Sequence, residues 1–313
     1  MDSIEKRDDV NIIVVDDCSN LNYDDILEEY PYISFYQLET NSGPGMARQY
    51  GIEHSNGTYF TFLDTDDYFY DGGLETILEQ INKNTYIKMY DFSYVYDDNN
   101  HLNDVWDDKT IGSVYKRSFV EMYNIHFCKE GSYADEDYGF SRACRIILKQ
   151  LHLDGFAAAN KLIKIPVFYE HIDKNSVTKK NNWEFFYTKV SKGIIINGIH
   201  ALNIAKQAKV TPDVIMFELN YIMAQEYYFF LSVLYERQDL IDDVWDAIRQ
   251  FYFENYRVYE KFCSKDLLSF FSKVTIPRIK MRIKKWQKIK PFNIMKFVQD
   301  LKENEFIPFE YLT

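Results

Sequence analysis

Apolar and polar positions alternate along the first two hundred residues in short blocks. Val10 to Val15 is a β-branched run that stops at Asp16 and Asp17, which predicts a buried strand delivering carboxylates at its carboxyl end. Tyr23 to Tyr30 has helical spacing, Ile33 to Leu38 is strand-like, Gly45 to His54 helical, and Tyr59 to Leu63 a further strand ending at Asp64. The pattern continues with a helix near Leu74 to Asn82 and a strand over Tyr86 to Tyr96. A polar stretch, Asp97 to Lys109, precedes a short strand at Gly112 to Tyr115 and a helix at Ser118 to Tyr123. Tyr138 to Leu151 reads as a helix and Lys161 to Tyr169 as a strand. Strand–helix alternation of this kind predicts an α/β fold with a mostly parallel, Rossmann-like sheet flanked by helices.

Beyond about residue 183 the pattern changes. Apolar residues recur at helical intervals through Trp183 to Gln207, Asp213 to Tyr235 and Leu240 to Phe262, with few prolines or glycines. Two parts are expected: residues 1–180, an α/β domain, and residues 181–313, a mostly helical region ending in a basic amphipathic segment. No internal repeat or low-complexity segment interrupts either part.

Composition narrows the class. A chain of 313 residues, 46% apolar and 27% charged, is long enough for a sizeable core with an additional lobe, and excludes disorder as the main state. Cys18, Cys128, Cys144 and Cys263 lie far apart without paired metal spacing, so reduced thiols and a cytoplasmic setting are expected. No apolar run reaches the roughly 18 residues of a spanning helix, and the start lacks a signal-peptide core.

Charge is unevenly spread. From Lys273 to Lys296 there are nine basic residues and no acidic one. Set against a net charge of −12, they leave −21 on the remainder. In that run Ile276, Ile279, Ile283 and Trp286 recur at helical spacing. This predicts either a helix lying on an anionic membrane surface, which would make the protein peripheral, or one docked on the acidic body. A nucleic-acid partner is disfavoured, because the acidic remainder repels a phosphate backbone outside one narrow strip.

The candidate chemistry lies at the strand ends. Ligands of open α/β sheets bind beyond the carboxyl ends of the strands, so Asp16, Asp17, Asp64 and Asp66 should converge on one crevice despite their separation in sequence. Asp64-Thr65-Asp66 offers two carboxylates that can share Mn²⁺ or Mg²⁺ with a diphosphate, since these cations take oxygen ligands. Asp17 can accept a hydrogen bond from a uracil-like base, and it also suits a helix cap, as does Asp16. Gly43-Pro44-Gly45 leads into a helix carrying Arg48, where free N–H groups and a guanidinium suit a phosphate or ribose. Asp135, Glu136 and Asp137 open a later helix, where acids are also favoured by the helix dipole.

Together, Val15-Asp16-Asp17-x-Ser19, Asn41-x-Gly43-x-x-x-Ala47-Arg48-x-x-Gly51-Ile52 and Gly57-x-Tyr59-x-x-Phe62-Leu63-Asp64-x-Asp66-Asp67 resemble the nucleotide-binding half of family 2 glycosyltransferases. Tyr115 to Phe119, Asn124 to Phe127 and the acidic motif Asp135-Glu136-Asp137-Tyr138-Gly139-Phe140 extend the likeness to about residue 180. The resemblance implies the glycosyltransferase A fold and inverting transfer from a nucleotide-diphosphate sugar to a glycan or lipid-linked acceptor, aided by a divalent metal. On the motif match Asp137 is the general base, with Glu136 the neighbouring alternative, and His171 a further candidate metal ligand. The family's opening strand, which forms one wall of the base pocket, has no counterpart before Val10. Two other readings stay open: a non-catalytic glycosyltransferase-like partner protein, and a DNA-base glycosyltransferase. Donor sugar, acceptor and oligomeric state are beyond the sequence.

Overall fold

The computed structural model describes residues 3–96, 102–103, 110–133, 135–156, 159–171, 192–256 and 294–303. Residues 273–293 of the basic run lie outside these ranges, as does Asp97 to Lys109 except for Leu102 and Asn103. The chain divides into two compact units, residues 1–182 with 196–210, and residues 183–195 with 211–313.

In the first unit the alternation takes the expected form. Strand β1 (Ile13–Asp16), helix α1 (Asp24–Glu29), β2 (Ser34–Gln37), α2 (Pro44–Glu53), β3 (Tyr59–Thr61), β4 (Tyr68–Phe69), α3 (Gly73–Lys83) and β5 (Met89–Tyr96) follow in order. Next come β6 (Leu102–Asn103), β7 (Ser113–Lys116), α4 (Arg117–Met122), α5 (Glu136–Leu153) and β8 (Asn160–Glu170). The two-residue strands β4 and β6 carry too few residues to show a periodicity in the sequence.

The α/β class holds, but the sheet is mixed where the alternation predicts mostly parallel strands. Strands β1 and β2 pair in parallel with each other, Ile13 opposite Ser34. A separate six-stranded sheet runs β3-β7-β5-β8-β4, with β6 beside β5. In it only β5 and β8 are parallel; β3–β7, β5–β7, β5–β6 and β4–β8 are antiparallel. The reason is connectivity: five residues join β5 to β6 and six join β3 to β4, fewer than the dozen or more that a crossover between parallel strands takes. Asn11 Nδ2 donates to Asn56 Oδ1 at 2.9 Å, tying the approach to β1 to the approach to β3.

Successive residues of β7 serve opposite faces of the sheet, as strand geometry requires. Val114 joins a cluster with Phe69, Leu74, Ile77, Tyr90, Phe92, Val167 and Phe168, beneath α3. Tyr115 faces the other way, onto an aromatic group of Phe60, Phe62, Phe127 and Phe140 under α5. Phe140 is fully buried and stacks on Phe127 at 4.5 Å. Each such side chain stabilises the fold by roughly 1.5–3 kcal/mol through burial. Helix α5 is fixed further by an ion pair within the interior: Arg145 donates Nη2 and Nη1 to the two carboxylate oxygens of Asp91 on β5, at 2.9 and 3.2 Å. Ser113 Oγ adds a third hydrogen bond to Asp91, at 2.9 Å.

The second unit is helical among its described residues. Helix α6 (Lys192–Gln207) begins in it, and α7 (Pro212–Glu236), α8 (Ile241–Phe251) and α9 (Ile294–Glu303) lie in it. Phe230, Trp245 and Phe297 meet at its centre. No helix among the described residues is long and apolar enough to cross a membrane.

Candidate functional site

Helix α2 organises the acidic and glycine motifs. Its N-cap, Gly43, has φ +84°, a left-handed conformation that glycine adopts without strain. The carboxylate of Asp17 accepts the N–H groups of Ser42 and Gly43, at 2.7 and 2.8 Å, and so holds the turn closed at the end of β1. Asp16 instead fixes the loop after β1, by accepting the Ser19 N–H at 3.0 Å, the Tyr23 hydroxyl at 3.0 Å and the Gln37 amide at 2.8 Å.

The amino terminus of α2 departs from expectation. Its first free N–H groups are taken by Ser132: the Gly45 N–H reaches the Ser132 carbonyl at 3.2 Å and the Met46 N–H reaches Ser132 Oγ at 2.8 Å. A Cβ on Gly43 would lie 2.7 Å from that carbonyl, and one on Gly45 3.0 Å from Ser132 Oγ. The glycines therefore admit a protein loop, and the phosphate seat expected at the start of α2 is filled from within. Ser132 carries no signal in the sequence, because its role depends on a loop returning from about ninety residues away. That loop is pinned from behind by the buried Asn197, whose amide donates to the Gly131 carbonyl at 3.0 Å.

Arg48, one turn further along α2, is the hub of the site. Its Nη2 donates to Asp64 Oδ1 at 2.7 Å, and its Nη1 meets Glu136 Oε1 at 2.5 Å and Asp137 Oδ1 at 3.1 Å. Burial opposes its charge, yet Asp137, Asp64 and Glu136 overcome that and hold the proton more firmly than on an ordinary guanidinium. Thr110, which the sequence does not single out, donates its hydroxyl to Asp137 Oδ1 at 2.7 Å.

The three acids at the start of α5 differ in environment. Asp135 has φ +52°, and its Oδ2 is buried without a hydrogen-bond partner. Burial, with repulsion from Glu136 and Asp137, pushes its carboxyl up to about 7. Glu136 is also raised, by burial first and by Asp137 second, against the pull of Arg48.

The aspartate turn after β3 is more open. Asp66 is exposed and Asp64 half-exposed, and the Asp67 N–H closes the turn on the Asp64 carbonyl at 3.0 Å. Asp67 accepts the backbone N–H of His171 at 2.7 Å, and burial raises its carboxyl to about 7. His171 thus meets the turn through its main chain. Asp64, Asp66 and His171 form no three-ligand group, and none of His, Cys, Asp and Glu does so among the described residues. Asp64 and Asp66 fit a cation as a pair of oxygen donors whose remaining positions would fall to phosphate oxygens and water.

Comparison with known proteins follows the same residues. The family model for glycosyl transferase family 2 matches residues 1–133. An uncharacterized glycosyltransferase of Haemophilus influenzae is 27% identical over 211 residues, covering 61% of this chain and 81% of the relative. The poly(ribitol-phosphate) beta-N-acetylglucosaminyltransferase TarS of Staphylococcus aureus is 37% identical over 76 residues, 22% of this chain and 13% of that protein. The crystal structure of S. aureus TarS 1–349 in complex with UDP-GlcNAc has a TM-score of 0.57 at 17% identity, covering 77% of this chain and 72% of that one, which shows a shared fold. Strands β1 and β3 and helix α2, with their Asp–Asp, Gly–Arg and Asp-x-Asp stations, all lie within residues 1–133, the part of the chain that the glycosyl transferase family 2 model matches.

Proposed function

We propose that the chain transfers a sugar from a UDP-sugar to a glycan or lipid-linked acceptor with inversion at the anomeric carbon, and that Asp137 is the general base. The observation that carries this reading is Arg48. One guanidinium binds Asp64 of the aspartate turn and Glu136 and Asp137 of the α5 motif, so two acidic stations 73 residues apart sit within one side chain's reach. Inverting transfer needs such an arrangement: a leaving-group station and a base held on either side of the reacting carbon.

In this reading the Asp137 carboxylate takes the proton of the acceptor hydroxyl as that oxygen bonds to the anomeric carbon. The bond from that carbon to the diphosphate oxygen breaks, and UDP departs with the electron pair. The proton on Asp137 then passes to water. Thr110 and Arg48 orient Asp137, each through a direct contact with Oδ1. Glu136 shares Arg48 and steadies it. Asp17 holds the Ser42–Gly43 turn, with its remaining lone pairs available to a base. A divalent cation on Asp64 and Asp66 would neutralise the charge gathering on the diphosphate. The UDP-GlcNAc complex of the structurally similar TarS supports a uridine donor.

Release of UDP from a panel of UDP-sugars with Mn²⁺ tests the proposal, with calorimetric UDP titration alongside. Turnover lost in Asp66→Ala and in Asp137→Asn, with UDP still bound by the latter, is the expected result. Absence of UDP binding by the wild-type protein would overturn it and leave a non-catalytic partner protein.

A further inference from the structure

Next to the aspartate turn stands a group of tyrosines that neither the core nor the reaction above uses. Tyr68 of β4 lies directly opposite Tyr169 of β8, and Phe69 opposite Phe168. Phe69 and Phe168 are buried in the core, so Tyr68 and Tyr169 project from the other face of the sheet. Their rings stack at 4.7 Å and 24°. Tyr70, two residues on and therefore on the same face as Tyr68, brings its ring to 5.1 Å from Tyr169. Tyr169 is thus set between the other two, and Tyr68 is 38% exposed.

This ladder is continuous with the proposed donor site. Tyr68 follows Asp67 directly and lies two residues beyond Asp66, a reach of at most about 7 Å between backbones. Tyr169 lies two residues before His171, whose N–H is bound to Asp67. A cross-strand aromatic pair alone would help hold a two-residue strand, but the buried Phe69–Phe168 pair already does this. Three phenol rings ordered on the opposite face supply instead a rigid surface with negative π-faces and hydroxyl edges.

We propose that Tyr68, backed by Tyr169 and Tyr70, is the acceptor platform of the enzyme, and that it takes a neutral glycan whose pyranose rings stack on it. The inference rests on the transferase reading and adds the acceptor's class. A pyranose ring offers a face of polarised C–H bonds, which suits the negative face of an aromatic ring, and its rim of hydroxyls suits the phenols. Charge decides against a polyanion. Asp71 and Glu170, which adjoin Tyr70 and Tyr169 in the chain, flank the platform and would repel a linear polyol-phosphate chain of the kind named for TarS.

The test is ligand-observed saturation-transfer NMR with three neutral tetrasaccharides (cello-, chito- and maltotetraose) and a ribitol-phosphate oligomer. It uses wild-type protein, Tyr68→Phe and Tyr68→Leu with matched thermal melts, and UDP titration of the wild type in the same buffer with Mn²⁺. At least one tetrasaccharide should bind the wild type and Tyr68→Phe, with affinity about tenfold weaker in Tyr68→Leu. Three results would each overturn the platform: no tetrasaccharide binding, equal binding by a folded Tyr68→Leu, or tighter binding of the ribitol-phosphate oligomer. The wild-type comparison of neutral and anionic probes decides even where the leucine variant does not fold. Sugar binding without UDP binding would remove the transferase reading alone, and UDP binding without sugar binding the platform alone.

Discussion

Replacing Arg48 by methionine keeps an unbranched apolar stem and removes the charge that three carboxylates share. Glu136, with a side chain 12% exposed, loses its partner at 2.5 Å, and Asp137, 25% exposed, loses one at 3.1 Å. Asp64 is 46% exposed and adds little, because water takes over. Breaking an enclosed ion pair from one side costs about 3–5 kcal/mol, since the stranded charge stays out of water. At roughly 2–4 °C per kcal/mol for a unit of this size, Arg48→Met should melt about 10 °C below wild type at pH 8. The pH dependence gives the sharper check. Without Arg48 the folded-state affinity of Glu136 for a proton rises further above its unfolded value, so stability in the variant is lost as pH rises and regained as it falls. The gap between variant and wild type should therefore narrow from pH 8 to pH 5, and Glu136→Gln added to Arg48→Met should close part of it at pH 8. Melting followed by circular dichroism at four pH values measures both effects. A gap under about 1 kcal/mol at pH 8, or one that widens toward pH 5, would refute the assignment of Arg48 as the charge that holds α2, β3 and α5 together.

Three further outcomes are expected. Asp135, raised by burial from 3.8 to about 7, keeps a proton in the folded state that the unfolded chain releases, so the wild type loses stability as pH rises through that window. Asp135→Asn, which suits the φ of +52°, should match wild type near pH 4 and exceed it above pH 7 by at most about 4 kcal/mol, read as the difference in melting temperature. Gly73→Ala would drive a Cβ into the Val167 carbonyl oxygen, a backbone atom of β8, and should cost about 1–3 kcal/mol in urea unfolding. Ser132→Ala removes the side-chain cap of α2 and should cost about 1 kcal/mol, with faster hydrogen exchange at the Met46 amide.

The local elements and their chemistry are written in the order of residues. Periodicity marks β1, β2, α2, β5, α5 and β8 to within a few residues, because a strand or helix with one buried face must repeat apolar residues at its own period. The Asp-x-Asp turn and the acidic start of α5 are legible for the same reason: each is a short string of residues whose meaning is local. What those strings touch is settled by the folded chain alone. That Arg48 faces three carboxylates, that Ser132 fills the amino terminus of α2, and that His171 meets Asp67 through its main chain all follow from loops brought together across 88, 86 and 104 residues. Strand direction in the sheet is likewise set by the connections between elements. Hydrogen bonds and ion pairs depend on distances of about 3 Å between atoms, and such distances between remote residues leave no periodic trace along the chain.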